Sequence, residues 1–143
     1  MGASWSTVEF EVPDLAAAVR SRFAANRHHV LATIRHDGAP RLRGTDVVID
    51  DEVRLGMMTG AHKLGDIARD PRVELHCAPI EEDLTAGDAR LSGRLREDGP
   101  TKGVDGFQFI LDIDKVILTQ VRGYELVLTV WDADEGTRVL RRT

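Results

Sequence analysis

The sequence predicts a mainly β chain of the α+β class: a small antiparallel β-barrel with helical additions. Short runs rich in β-branched residues recur along most of the chain, turn signals such as Asp37-Gly38 and Asp50-Asp51 separate them, and only two segments show helical spacing. Six or more such strands bury one face each most simply by closing on themselves, which also removes exposed sheet edges.

Asp14 follows Pro13 and precedes Leu15, Val19 and Phe23, so residues 14–25 read as an amphipathic helix capped by Asp14. After Asn26 the period changes. Val30 to Ile34 forms a first strand, Asp37-Gly38 a hairpin turn and Arg41 to Ile49 a second strand; Asp50-Asp51 then turns the chain into a third, Val53 to Met58. Lys63 to Arg69 places Leu64, Ile67 and Ala68 at helical spacing, and Asp70-Pro71 ends that short helix because the residue before proline is pushed out of the helical region. Val73 to Ala78 and Ala89 to Leu95 are the fourth and fifth strands, joined by an acidic loop with Glu81, Glu82, Asp83 and Asp88. Phe107 to Val121 is either a strand pair or one long bent strand. Glu125 to Trp131 follows Gly123 as a further strand, and Val139-Leu140 adds a short edge. With no repeat, linker or low-complexity stretch, residues 1–143 are expected to form one domain.

At 143 residues, with 42% hydrophobic and 30% charged side chains, the chain can bury a core without a disulfide or metal staple. Its one cysteine, Cys77, excludes an internal disulfide framework and fits a reducing compartment. Met1 to Pro13 lacks the apolar core of an export signal, and no stretch approaches the roughly 18 apolar residues of a membrane span. A cytoplasmic location is the expectation, with neither membrane nor nucleic acid as partner: the net charge of −5 argues against a broad basic surface. The average hides a local excess. Between Arg20 and Arg43 stand six arginines (Arg20, Arg22, Arg27, Arg35, Arg41, Arg43) against one acid, Asp37. A compact basic patch on an acidic protein suits a small anionic ligand, although a solvated face is its plain alternative.

Two features sharpen the anion reading. In Met58-Thr59-Gly60-Ala61-His62-Lys63 a strand ends, a glycine permits a tight turn and a helix begins, so free backbone N–H groups and the Lys63 ammonium converge. In Arg41-Leu42-Arg43-Gly44-Thr45 the period of two puts Arg41, Arg43 and Thr45 on one strand face, and the meander brings Arg43 toward Lys63. Metal chemistry has little support. His28-His29 and His76-Cys77 are adjacent pairs on extended segments, whose members point to opposite faces. No nucleophile elbow is present, and the paired acids Glu81-Glu82 and Asp112-Asp114 read as solvated. With so little acid–base equipment, any chemistry belongs to a cofactor.

The run His29 to Ile34, then Asp37-Gly38-Ala39-Pro40-Arg41, Ala61-His62-Lys63 and Arg69-Asp70-Pro71-Arg72-Val73-Glu74-Leu75 resembles the FMN-binding split barrel of the pyridoxamine 5′-phosphate oxidase-like superfamily, which includes deazaflavin-dependent reductases. The resemblance covers residues 26–97 in order and spacing, and the later strands in outline. It implies a six-stranded antiparallel split β-barrel with a leading helix and a short helix after strand three, assembled as a homodimer with cofactor sites at the interface. The resemblance places Arg43 and Lys63 on the phosphate with Gly44 and Thr45 beside the flavin ring; joined to the residue reading above, the cofactor-binding positions are Arg41, Arg43, Gly44, Thr45, Met58, Thr59, Ala61, His62 and Lys63. The sequence departs from the family's pattern at Ala61, where a serine is common, and at His62, where arginine is. Its end, Trp131 to Arg142, lacks the pattern that completes the vitamin oxidase pocket. The implied function is an FMN-dependent oxidoreductase acting on a small-molecule substrate. Coenzyme F-420 is the alternative cofactor, suggested by sixteen arginines against three lysines as in GC-rich genomes. A non-catalytic flavin or haem binding protein is the alternative of another class.

Overall fold

Side chains that alternate along a strand commit it to one buried face, and β1 (His28–Ile34) shows this, with His29, Leu31 and Thr33 buried between more exposed neighbours. The same rhythm runs through β3 (Val53–Met58), where Val53, Leu55 and Met57 are buried, and β4 (Arg72–His76), where Val73 and Leu75 are. In the computed structural model, which describes residues 2–143, these strands join β2 (Pro40–Ile49), β5 (Asp88–Pro100) and β6 (Gly106–Arg122) in the antiparallel order β3-β2-β1-β4-β5-β6. A β3–β6 pairing closes the six strands into a barrel. Met1, which opens the segment read above as lacking an export signal, lies outside the described residues.

The segment after Gly106 is one long strand rather than a pair. Its first half, Gly106 to Leu111, pairs with β3, its second half pairs with β7 (Glu125–Asp132), and β5 accompanies both. β8 (Gly136–Arg142) then pairs with β7, so two strands extend the sheet beyond the six that close the barrel. A register shift in the β5–β6 ladder falls at Gly93, where a Cβ would overlap the Asp112 carbonyl oxygen.

Two helices precede the barrel where one is predicted. Ser4 caps α1 (Trp5–Glu11) by accepting the Thr7 N–H, and Pro13 at the first position of α2 (Pro13–Ala24) breaks the two apart. Trp5 and Val8 of α1, with Leu15, Val19 and Phe23 of α2, belong to the same buried cluster as Leu31, Leu75, Leu91, Leu111 and Ile113 of the barrel. Fully burying each Leu or Phe contributes about 1.5–3 kcal/mol. His29 fastens this layer. Its Nε2–H donates toward the Phe23 and Asn26 carbonyls at 2.9 and 2.8 Å, while Nδ1 accepts the Ala78 N–H at 2.9 Å. Cys77 is fully buried, its Sγ accepting the Ala89 N–H. Among the described residues no helix is long and apolar enough to cross a membrane.

The short helix α3 (His62–Arg69) sits between β3 and β4 as predicted. Ile67 and Asp66 are its buried residues, and Asp70, extended before Pro71, closes it by donating its N–H to the Asp66 carbonyl.

Candidate functional site

β2 and β3 are hydrogen-bonded to each other only over Val47–Ile49 and Val53–Leu55. Beyond that ladder β2 stays with β1 and β3 stays with β6, so the barrel is split. A cleft of about 470 Å³ opens at the split, lined by Arg43, Gly44, Thr45 and Asp46 of β2, Gly56 and Met58 of β3, His28 of β1, and Ala61, His62 and Lys63 where α3 begins. That volume lies within the ordinary range for a small-molecule site.

Glycine weakens a strand interior, yet Gly44 and Gly56 both sit in strands facing this cleft. Neither is needed by the protein's own packing. A Cβ at Gly44 would lie 3.9 Å from the His29 carbonyl oxygen and one at Gly56 3.7 Å from Gln108 Nε2, both ordinary contacts. What the missing side chains leave is an open wall against which a flat ligand can lie.

The cationic end of the cleft has equally specific causes. Of the six arginines between residues 20 and 43, five have a carboxylate partner: Arg20 with Glu9, Arg22 with Glu81, Arg27 with Asp46, Arg35 with Asp37 and Arg41 with Asp66. Arg43 has none among the described residues, and its Nη1 donates to the Leu42 carbonyl at 2.9 Å. Lys63 Nζ donates to the Gly44 carbonyl at 3.1 Å, which ties the start of α3 to β2. Burial lowers the Lys63 pKa, and Arg43 lowers it further against the opposing pull of Asp46. Two cations forced together and partly desolvated are what an arriving anion relieves. The first-turn N–H groups of α3 add donors, since Ala61 at the N-cap supplies no side-chain oxygen to them. Asp46, the one acid in the cleft, is held by His28 Nδ1 at 2.7 Å and Arg27 Nε at 3.4 Å.

The predicted residues therefore divide. Arg43, Gly44, Thr45, Met58, Ala61, His62 and Lys63 line one cleft; the Thr45 side chain is buried beneath it, with Oγ1 on the Asp46 carbonyl. Thr59 lies outside that lining, its hydroxyl and N–H both donated to Asp105. Arg41 also lies outside. Its Nε donates to Asp66 Oδ2 at 2.7 Å, and it lines a second cleft of about 360 Å³ beside α3. The structure adds His28, Asp46 and Gly56. Of these, Gly56 left a signal in the sequence, a glycine inside a strand.

No family model and no curated protein matches the sequence. Solved structures do. The chain superposes on a pyridoxamine 5′-phosphate oxidase-related, FMN-binding protein from Nostoc punctiforme with a TM-score of 0.66 at 14% identity, covering 92% of this chain and 96% of that one. PhzG from Burkholderia lata, solved with tetrahydrophenazine-1-carboxylic acid, gives 0.68 at 12% identity over 96% of this chain and 92% of its own. A protein of the pyridoxinephosphate oxidase family from Clostridium acetobutylicum gives 0.60 at 12% identity, covering 91% and 97%. At these identities the likeness is one of fold, and the split barrel expected from the sequence is the fold found.

Proposed function

We propose that this chain, which has the split-barrel fold of the pyridoxamine 5′-phosphate oxidase-like proteins, binds FMN in the cleft between β2 and β3 and serves as an oxidoreductase for a small-molecule substrate. The observation that carries the reading is the meeting of Arg43, Lys63 and the start of α3 at one end of a cleft whose walls contain two strand glycines. A phosphate suits the cationic end, through charge-assisted bonds from Arg43 and Lys63. A flat ring suits the glycine-lined wall. FMN, when bound, supplies hydride transfer, which the protein's own side chains cannot. Those side chains bind and orient. His28 Nδ1 and Asp46 Oδ1 stand 2.7 Å apart, so each already has a partner within the cleft.

A homodimer is proposed because Leu42 and Val48 of β2 and Met58 of β3 are exposed beside the cleft and a second chain would cover them. A cytoplasmic setting accords with the unpaired Cys77. Coenzyme F-420, whose phosphate would meet the same two cations, is the second candidate ligand. The paired state of His28 and Asp46 favours a second reading as well, a flavin carrier without turnover.

Replacement of the two cations tests the site. Lys63→Ala and Arg43→Ala should each weaken FMN binding by about ten- to a hundredfold, the worth of one charge-assisted bond, with the far-UV circular dichroism unchanged. Unaltered affinity in both variants would remove the assignment.

A further inference from the structure

We propose that the second cleft is a separate oxyanion site that takes a carboxylate or phosphate group. This cleft, of about 360 Å³, shares Ala61 and His62 with the first and is otherwise made of different residues, among them His36, Arg41 and Arg69. Its organising group is Asp66, whose side chain is 2% exposed. Asp66 Oδ2 accepts from Thr33 Oγ1 and Arg41 Nε, both at 2.7 Å, and Oδ1 accepts from Arg69 Nη2 at 2.8 Å.

One carboxylate thus stands against two guanidinium groups, and the cluster keeps a net positive charge. A guanidinium carries five N–H donors. Arg41 gives only its Nε and Arg69 only one Nη to protein acceptors among the described residues, and the Arg41 side chain is just 14% exposed. Those unused donors are not sealed in the core, so an arriving acceptor can reach them. The remaining donors belong to side chains that line the cleft, where two imidazoles, His36 and His62, add further donors from the β1–β2 turn and from α3. Three separate parts of the chain converge there. Asp66 fixes the planes of both arginines before a ligand arrives, which suits a planar or tetrahedral oxyanion better than a structural ion pair would require. The inference stands apart from the flavin reading, because it uses neither Arg43 nor Lys63.

The test is a titration of the full chain with inorganic phosphate and, in parallel, with citrate, followed through the ring carbon-bound proton signals of His36 and His62. Saturable shifts of both histidines are expected, with the tighter of the two anions identifying the preferred chemistry. Arg69→Gln should weaken the response read at His36 tenfold or more. His36→Ala, at an exposed turn, should weaken the response read at His62 and keeps the test valid should Arg69→Gln unfold. A silent His36 while His62 and His28 respond would place all anion binding in the first cleft and overturn the proposal. So would an affinity unchanged in both Arg69→Gln and His36→Ala.

Discussion

Asp66 is a carboxylate that has exchanged water for three protein donors, and its behaviour in acid follows. Burial by itself raises its pKa, but the hydrogen bonds from Arg41, Thr33 and Arg69 outweigh that and hold it at about 2 against an ordinary 3.8. A carboxylate whose pKa is depressed by folding stabilises the fold at every pH above its unfolded value. That contribution is lost as pH falls from about 4 toward about 2. Asp66→Ala should cost about 3 kcal/mol at pH 7, because it leaves two arginines without their counter-charge. Urea denaturation at pH 7 and again near pH 2 checks this: the gap between wild type and variant should shrink in acid, and a constant gap would mean that the charge is not what matters. The same residue explains where sequence reasoning stopped. That Arg43 and Lys63 come together in one cleft was legible from the hairpin that links their elements. The period of two grouped Arg41 with Arg43, and nothing local announced that a carboxylate 25 positions later claims Arg41.

At the scale of elements, the boundaries that depend on local pattern were legible and those that depend on distant partners were not. β3 and α3 follow the apolar spacing and the Asp-Pro stop closely. α1 went unread: its signal is Ser4 with Thr7 three positions on, and its burial depends on the barrel it packs against. The length of β6 is likewise a tertiary result, since one strand serves β3 with its first half and β7 with its second. The split between β2 and β3 carries a prediction at this scale. Gly56→Ala should stabilise the fold by about 0.5–1 kcal/mol, because alanine loses less backbone freedom in a strand and finds ordinary contacts there. It should weaken FMN binding at the same time. Thermal unfolding and ligand titration on one preparation would show the opposite signs, and parallel loss of both would mean that Gly56 serves the fold rather than the ligand.

For the whole molecule, the exposed Leu42, Val48 and Met58, together with the groove of Leu64, Ile67, Ala68, Phe107 and Phe109, leave apolar surface around the cleft. Light scattering after size exclusion should give a mass near twice the 15.8 kDa of one chain. A monomer would contradict the proposed dimer. Independently of the dimer, the cleft at the split is proposed to take a phosphorylated flavin. Its most direct test is an equilibrium titration of the purified chain with FMN and, separately, with F-420, following cofactor fluorescence in wild type and Lys63→Ala. Saturable binding of FMN, tighter than that of F-420 and weakened about ten- to a hundredfold by the substitution, is the predicted result. Binding of neither by a folded wild-type chain would contradict it.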